Sequence, residues 1–238
     1  MSERFERQSL ILGEQATSTL ASRTVALFGV GGVGSYAAEA LARCGVGKIV
    51  LVDHDTVSKT NINRQLCALE STVGKLKVDV VADRLCDINP KIVIEKRAEF
   101  LLPENADAFD FSSYDFVIDA IDTVSAKLTI AERCTSLGVP MISCMGTGNK
   151  IDPSALRVSD IAKTSGCPLA RVMRRELKKR GIAHLPVVYS EETPIKPLCE
   201  MLSPSGKPTP GSVAFVPSVA GLLAASEAIK RLIERTEG

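Results

Sequence analysis

Apolar runs and amphipathic segments alternate along the first 145 residues of the chain. Short apolar runs predict five strands, at Val25–Val30, Lys48–Asp53, Ile92–Arg97, Phe116–Ile121 and Met141–Met145. Segments with helical spacing predict three helices, at Ser35–Cys44, Lys75–Ile88 and Ala126–Leu137. Each crossover is long enough for the strands to pair in parallel. The pattern therefore predicts an α/β fold built on a doubly wound, mostly parallel sheet.

The pattern of apolar and polar residues changes after Gly146, and the second half predicts a few further strands and helices. We expect strands at Leu156–Ile161, Leu185–Tyr189 and Val213–Val216, and helices at Pro168–Arg180 and Ser218–Glu234. Five prolines in Glu191–Gly211 predict a surface loop or a mobile crossover. Because no internal repeat or low-complexity tract divides the chain, residues 1–238 are expected to form one domain with an elaborated second half.

Composition excludes several classes of protein. The formal net charge of +1 gives no overall attraction to nucleic acid, so any such site must be a local patch. The seven cysteines contain no C-x-x-C pair, which argues against a structural zinc site. Their odd number, with no signal peptide, predicts reduced thiols and a cytoplasmic location. The longest apolar stretch, 213–226, is too short and too interrupted for stable membrane insertion.

A glycine-rich turn follows the first predicted strand. Gly29, Gly31 and Gly34 fit the G-x-G-x-x-G spacing, with Gly32 between them, and a helix follows. Glycines let the backbone approach a phosphate, and the helix N-terminus presents free N–H groups to the anion. Asp53 ends the second apolar run, where an acid accepts hydrogen bonds from ribose hydroxyls. These features predict a Rossmann-like nucleotide site.

The segment after Asp53 carries more charge than a dinucleotide site needs. It supplies Asp55, Asn61 and Arg64 at the carboxyl edge of the sheet, and Lys77 follows on the next helix. Arginine and lysine neutralise the charge that develops on a leaving pyrophosphate, so the cluster favours a nucleoside triphosphate. Lys75 is a rival to Lys77 that helical spacing does not exclude. A nicotinamide-dependent dehydrogenase and a non-catalytic nucleotide sensor remain weaker alternatives.

The chain resembles the adenylating superfamily of ubiquitin-activating enzymes and thiamine- and molybdopterin-biosynthesis adenylyltransferases. The matching segments appear in family order: Arg4–Gln8, Gly29–Gly34, Asp53–Asp55, Asn61–Gln65, Val73–Lys77 and Val117–Asp122. The resemblance implies that Asp53 holds the ribose and that Asn61, Arg64 and Lys77 orient the phosphates of ATP. It implies that Asp122 coordinates Mg²⁺. It also implies a homodimer in which Arg7 reaches the partner's nucleotide.

A stripe of basic residues lies on the helix predicted at Pro168–Arg180. The stripe comprises Arg171, Arg174, Arg175 and Lys178, at the spacing of one helical face. Leu169, Val172, Met173 and Leu177 occupy the opposite face. Such a stripe fits a phosphate backbone and predicts a tRNA-binding surface, although a merely solvated helix face is an equal alternative.

The segments Met145–Pro153, Asp160–Thr164, Pro168–Gly181 and Val187–Ser190 extend the resemblance to the tRNA threonylcarbamoyladenosine dehydratase branch. This branch implies adenylation of the threonyl carboxylate next to the anticodon, followed by cyclisation. Residues 1–150 would then form the ATP-binding half, and residues 151–238 the substrate-binding and dimerisation half. The alternative is activation of a small ubiquitin-like or sulfur-carrier protein. A monovalent cation around Met145–Asn149 and a sulfur-transfer partner protein are left open.

Overall fold

The computed structural model describes residues 3–202, 206 and 208–234. Its seven strands form one sheet in the order β3-β2-β1-β4-β5-β7-β6. The strands are β1 (Thr24–Phe28), β2 (Lys48–Val52), β3 (Val93–Arg97), β4 (Phe116–Asp119), β5 (Met141–Cys144), β6 (Leu156–Asp160) and β7 (Pro186–Ser190). All neighbours pair in parallel except β6 and β7, which are antiparallel. The predicted fold class is confirmed.

Seven helices cover the sheet. They are α1 (Glu6–Leu12), α2 (Glu14–Ala21), α3 (Gly34–Arg43), α4 (Lys77–Ile88), α5 (Val124–Leu137), α6 (Pro168–Lys179) and α7 (Phe215–Glu234). One apolar core lies between the sheet and α3, α4 and α7. A second core lies on the other face, under α5 and α6. The central strands β1 and β4 are buried on both faces, which explains their continuous apolar sequence.

The predicted strands extend too far at their carboxyl ends. The structure ends β1 at Phe28, β2 at Val52 and β4 at Asp119, one or two residues before the predicted ends. The residues that follow leave the sheet to form loops at its carboxyl edge, so their apolar or acidic side chains line a cavity instead of extending a strand. Residues 3–23, for which no element was predicted, form α1 and α2 after a short 3-10 turn.

The predicted last strand at Val213–Val216 is wrong. Val213 and Ala214 lie in a loop, and Phe215 begins the twenty-residue helix α7. Pro217 is tolerated in the first turn because the N–H it lacks would have no partner inside the helix. Short apolar runs do not distinguish a strand from a buried helix. Close packing of α7 against α3 favours the helix here. A Cβ on Gly221 would lie 2.2 Å from the carbonyl oxygen of Val33, the residue before α3.

No helix in the described ranges 3–202 and 208–234 is both long and apolar enough to cross a membrane. This holds for α7, which includes most of the apolar stretch 213–226. Its buried face instead packs against the first core.

Candidate active site

A cavity of about 480 Å³ opens at the carboxyl edge of the sheet, where ligands bind in open α/β folds. Its volume is within the range of roughly 300–1,000 Å³ that is usual for small-molecule sites. The loops that follow β1, β2, β4 and β5 line it, together with residues 209–212 and Pro217. It contains nine of the predicted site residues: Gly29, Gly31, Gly32, Asp53, Asp55, Asn61, Arg64, Lys77 and Asp122.

The glycine loop turns tightly between β1 and α3. Gly29 has φ of +86°, a left-handed conformation that favours glycine. Gly34 lies behind the loop as the first residue of α3, and a Cβ there would be 1.8 Å from the carbonyl oxygen of Gly29. Gly34 therefore contributes close packing of helix and loop and does not line the cavity. Gly31 and Gly32 face the cavity and bring the backbone near any bound anion.

Asp53 ties the glycine loop to the end of β2. One carboxylate oxygen accepts a hydrogen bond from the Val30 N–H at 2.8 Å, and the other accepts one from the Asp55 N–H at 2.9 Å. An ionised carboxylate offers about four acceptor positions, so both oxygens retain capacity for ribose hydroxyls. The residue therefore has a structural role besides the predicted ribose contact.

Lys77, at the start of α4, projects its ammonium into the cavity wall. Its side chain is 6% exposed, and Nζ donates to Asp55 Oδ2 at 2.6 Å. Lys75 is exposed and does not line the cavity. The structure thus places Lys77 in the cavity, where spacing alone left both lysines as candidates. Asp55 holds the ammonium at the cavity.

Asn61 ends a short 3-10 helix (Lys59–Asn61), and Arg64 lies in the turn that follows it; both line the cavity. Asn61 is buried, and its side-chain oxygen accepts a hydrogen bond from the Ser58 N–H at 3.0 Å. The Arg64 guanidinium donates from Nη1 to the Thr60 carbonyl at 2.8 Å and to Asn63 Oδ1 at 3.0 Å. These two neutral acceptors leave the charge of Arg64 free of an acidic partner within the described residues.

Asp122 lies in the loop between β4 and α5, with an exposed carboxylate at the cavity. Its Oδ1 accepts a hydrogen bond from the Thr123 hydroxyl at 3.3 Å. Carboxylate oxygens are ligands that Mg²⁺ prefers, and an exposed carboxylate beside a phosphate site suits a partly hydrated ion. The residues present are therefore compatible with the predicted magnesium site.

A buried ion pair beneath the cavity was missed by sequence reasoning. Lys127 and Asp119 are both 0% exposed, and their charged atoms are 3.0 Å apart. Lys127 Nζ also donates to the Cys144 carbonyl at 2.7 Å, while the Ser143 hydroxyl donates to Asp119 Oδ2 at 2.5 Å. Asp119 Oδ1 accepts from the Ile121 N–H at 3.2 Å. The network joins the ends of β4 and β5, and its sequence signal was weak: an acid at the end of an apolar strand and a lysine within the next amphipathic helix.

The cavity holds a thiol that is not reactive at neutral pH. Burial raises the pKa of the Cys144 thiol to about 12. A thiolate is the nucleophilic form of cysteine. Cys144 is therefore a poor candidate for a covalent thioester, and the exposed Cys86 and Cys199 lie outside the cavity lining.

Two sets of predicted residues lie away from the cavity. Arg7 is exposed on α1, and it is not among the cavity residues. The basic residues of α6 also lie outside the cavity lining, and they divide into an exposed group and the partly buried Arg174. Arg171, Arg175 and Lys178 are exposed.

Arg174 departs from the predicted exposed stripe because its guanidinium is used inside the protein. It is partly buried and donates to the Thr164 carbonyl at 2.7 Å, to the Thr164 hydroxyl at 2.6 Å and to the Ile161 carbonyl at 3.3 Å. Glu176 further reduces the positive charge of this helix, since it pairs with Arg175, Lys179 and Arg180. Hydrogen bonds from Lys179 and Arg175 lower the pKa of Glu176. The exposed stripe is therefore narrower than the spacing predicted.

The whole chain is similar to proteins of one family. The ThiF family matches residues 5–238. The tRNA threonylcarbamoyladenosine dehydratase of Bacillus subtilis (strain 168) is 43% identical over 247 residues, which is 100% of this chain and 97% of that protein. The crystal structure of E. coli tRNA N6-threonylcarbamoyladenosine dehydratase, TcdA, in complex with AMP has a TM-score of 0.91 at 34% identity. It covers 99% of this chain and 96% of that one, and the same protein has been solved in complex with ATP.

Similarity to a second group is shorter. The adenylyltransferase and sulfurtransferase uba4 of Pyricularia oryzae is 37% identical over 143 residues, which is 59% of this chain and 29% of that protein. The match to the dehydratases, in contrast, extends over both halves, so the predicted resemblance to that branch is confirmed. From the match over residues 5–238 and the shared seven-stranded fold, we conclude that the chain belongs to the ThiF family.

Proposed function

We propose that this chain is an ATP-dependent tRNA threonylcarbamoyladenosine dehydratase. The observation that carries the proposal is that one cavity contains the Arg64 guanidinium, the Lys77 ammonium and the carboxylates of Asp53 and Asp122, beside a helix N-terminus. That combination suits a nucleoside triphosphate. Full-length similarity to the dehydratases of B. subtilis and E. coli supplies the substrate class.

In this proposal the nucleotide lies along the carboxyl edge of the sheet. Asp53 accepts the ribose hydroxyls, and the backbone N–H groups of Gly31 and Gly32, with the positive end of the α3 dipole, bind phosphate oxygens. Arg64 and Lys77 neutralise the outer phosphates, and Asn61 supports them from the buried side of the same segment. The α-phosphorus then faces the open part of the cavity, towards Asp122 and the loop after β5.

The chemistry proceeds in two steps without a protein nucleophile. A carboxylate oxygen of the threonyl side chain attacks the α-phosphorus, and the bond to pyrophosphate breaks. A neighbouring group of the same side chain then attacks the activated carbonyl, loses its proton and releases AMP as a five-membered ring closes. The oxygen lost from the carboxylate leaves on AMP, which accounts for the net loss of water. An intramolecular nucleophile has a high effective concentration, so a thioester relay is unnecessary.

Asp122 would hold the magnesium ion. When bound, magnesium supplies positive charge that stabilises the phosphates in the transition state. A monovalent cation in the loop around Met145–Asn149 stays a hypothesis, which the dependence of AMP release on potassium against choline tests. Docking of a sulfur-transfer partner protein also stays a hypothesis, as does the division into an ATP-binding half and a substrate-binding half.

We assign tRNA binding to the exposed cations of α6, namely Arg171, Arg175 and Lys178. Arg171 and Lys178 can contact a phosphate backbone without breaking an internal contact of the described residues, whereas Arg175 already pairs with Glu176. A cytoplasmic location would follow from a tRNA substrate.

We also propose a homodimer in which Arg7 acts across the interface. Helix α1 exposes two neighbouring apolar residues, Leu10 at 86% and Ile11 at 85%, as expected for a surface that a partner covers. The helix is held against the C-terminal end of α3, where Gln8 Nε2 donates to the Cys44 carbonyl at 3.0 Å. Co-expressing inactive Arg7→Ala and Lys77→Ala chains would restore one intact site per dimer if Arg7 acts in trans, and none if it acts within its own chain.

Activation of a ubiquitin-like or sulfur-carrier protein is the second candidate, and it is not favoured. Similarity to the adenylyltransferase and sulfurtransferase group covers 59% of the chain, whereas similarity to the B. subtilis dehydratase covers all of it. The two candidates share the adenylation step and differ in the acceptor.

The deciding experiment identifies the acceptor. The protein is incubated with ATP, magnesium and tRNA that carries threonylcarbamoyladenosine, and the tRNA nucleosides are then analysed by mass spectrometry. We expect that nucleoside to lose one water, with stoichiometric AMP, and we expect Arg64→Ala to abolish the change. AMP release that requires a protein with a glycine-glycine tail, and not the modified tRNA, would overturn the proposal.

A further inference from the structure

Residues Thr209–Ser212, here called the strap, form part of the cavity wall and contact Asn63 and Asn149. The strap immediately precedes α7, and Pro210 and Gly211 within it are exposed. Because it has little buried apolar surface, packing does not explain how it is held. Hydrogen bonds do: two asparagines bind the strap, and the Thr209 N–H donates to the Met201 carbonyl at 2.7 Å.

Asn149 binds the strap at two points. Its backbone N–H donates to the Gly211 carbonyl at 2.8 Å, and its side-chain Oδ1 accepts from the Gly211 N–H at 2.7 Å. Its own carbonyl accepts from the Ile195 N–H at 2.8 Å, which ties in the start of the proline-rich segment. Both backbone groups of Gly211 are thus satisfied by one residue.

The backbone of Asn149 adopts an unusual conformation to do this. With φ of 57°, it is the one non-glycine residue with positive φ in the part of the chain that the structure describes. Asparagine tolerates the left-handed region better than most residues, and an observed outlier of this kind marks a position whose geometry is used. The neighbouring contact is tight, since a Cβ on Gly148 would lie 2.8 Å from the Cβ of Pro210.

Asn63 binds the strap from the nucleotide side. Its Nδ2 donates to the Ser212 carbonyl at 2.9 Å, while its Oδ1 accepts from the Arg64 guanidinium at 3.0 Å. One amide therefore links the strap to a proposed phosphate ligand. The strap spans the cavity between this amide and the Asn149 loop.

We infer that Asn149 is a positioning residue that holds the strap as the wall against which the carboxylate-bearing acceptor is placed. The inference rests on the proposed function for the identity of that acceptor. The strap and the loop 146–148 bring the hydroxyl residues Thr147 and Thr209 to the cavity. Loosening the strap should therefore weaken acceptor binding and leave nucleotide binding unchanged.

Two variants separate the side-chain hydrogen bond from the backbone conformation. Asn149→Gly keeps the left-handed conformation and removes Oδ1, whereas Asn149→Asp keeps an acceptor at the same place. Hydrogen–deuterium exchange of the free protein should show faster exchange of the Gly211 amide in Asn149→Gly, with protection retained in Asn149→Asp. Equal protection of Gly211 in Asn149→Gly and the wild-type protein, or its loss in both variants, overturns the inference.

Kinetics test the consequence for the acceptor. For Asn149→Gly we expect KM for the modified tRNA to rise about fivefold, as for loss of one net hydrogen bond, with the Kd of a non-hydrolysable ATP analogue unchanged. An equal change in both constants, or an unchanged KM, contradicts the inference. A wild-type protein that does not cyclise the tRNA refutes the proposed function instead, while the exchange of Gly211 still decides whether Asn149 holds the strap.

Discussion

The two walls of the cavity are held in different ways. The nucleotide wall consists of the glycine loop, Asp53–Asp55, Asn61–Gln65 and Lys77, and three of its polar residues are almost buried: Asn61, Gln65 and Lys77. The strap is partly exposed and is held by hydrogen bonds to Asn63, Asn149 and the Met201 carbonyl. One wall is pre-formed by packing, and the other is held by a few polar contacts, as suits a surface that must admit a large acceptor.

The same contrast between buried and exposed contacts is found outside the cavity walls. The buried Lys127–Asp119 pair joins the ends of β4 and β5 beneath the loops that follow these two strands. The tRNA surface proposed on α6 depends instead on solvated cations. Arg174 does not belong to this surface, because its guanidinium is hydrogen-bonded inside the protein. A buried charged contact makes a large and local contribution to stability, whereas an exposed one makes a small contribution that depends on salt.

Removing the support beneath the cavity should have the largest effect. Lys127→Met leaves Asp119 buried without its cation, so we expect the free energy of unfolding to fall by about 3–5 kcal/mol. Urea denaturation followed by circular dichroism measures it. Arg231→Ala, which breaks an exposed pair with Glu227 on α7, is the control and should change stability by less than about 1 kcal/mol. Equal effects of the two substitutions would show that the buried pair is not the support.

Breaking the nucleotide wall at Lys77 should abolish most of the activity while the protein stays folded. Lys77→Ala removes the ammonium proposed to neutralise the leaving pyrophosphate, and we expect AMP formation to slow by about 10²–10³-fold. Lys75→Ala is the matched control, because that lysine is exposed outside the cavity. If both substitutions reduce the rate equally, the assignment of Lys77 fails.

Substitutions of the exposed and the partly buried cations of α6 should have different effects. Arg171 and Lys178 are exposed and form no ion pair within the described residues, so Arg171→Ala with Lys178→Ala should weaken tRNA binding. The slope of log affinity against log salt should fall by about one for each phosphate that the variant no longer neutralises. Arg174→Ala should instead lower the free energy of unfolding by about 1–3 kcal/mol and leave the slope unchanged. Binding titrations at several salt concentrations check both, and an altered slope in Arg174→Ala would contradict the division.

The smallest effect is a pH dependence of stability that comes from two buried thiols. Burial raises the pKa of both Cys134 and Cys144 from 9.0 to about 12, so the folded protein keeps these thiols neutral after the unfolded chain has ionised. This stabilisation is complete below pH 9.0 and is lost as the pH rises towards 12. The slope is about 1.4 kcal/mol per pH unit for each thiol.

Urea denaturation at pH 8, 9 and 10 measures that slope. Cys144→Ala should reduce it, whereas Cys86→Ser, at an exposed position, should not. If the slope of the free energy of unfolding against pH is unchanged in Cys144→Ala, the buried thiol is not its cause.

By itself, the sequence determined the parallel sheet and the nucleotide wall. Apolar runs and glycine spacing constrain the backbone over a few residues, and parallel strands bring their following loops to one edge, so Gly29, Asp53, Arg64 and Asp122 meet without further information. The same local patterns could not separate a strand from the start of α7, because a short apolar run suits either.

Only the tertiary structure decided what depends on contacts between distant segments. It placed Lys77 and not Lys75 in the cavity, turned Arg174 towards the Thr164 carbonyl, and joined Asn149 to Gly211 across 62 positions of the chain. It also paired Lys127 with Asp119 in full burial. Periodicity assigns a residue to a face, but whether that face meets solvent, a cavity or another loop depends on which segments pack against it.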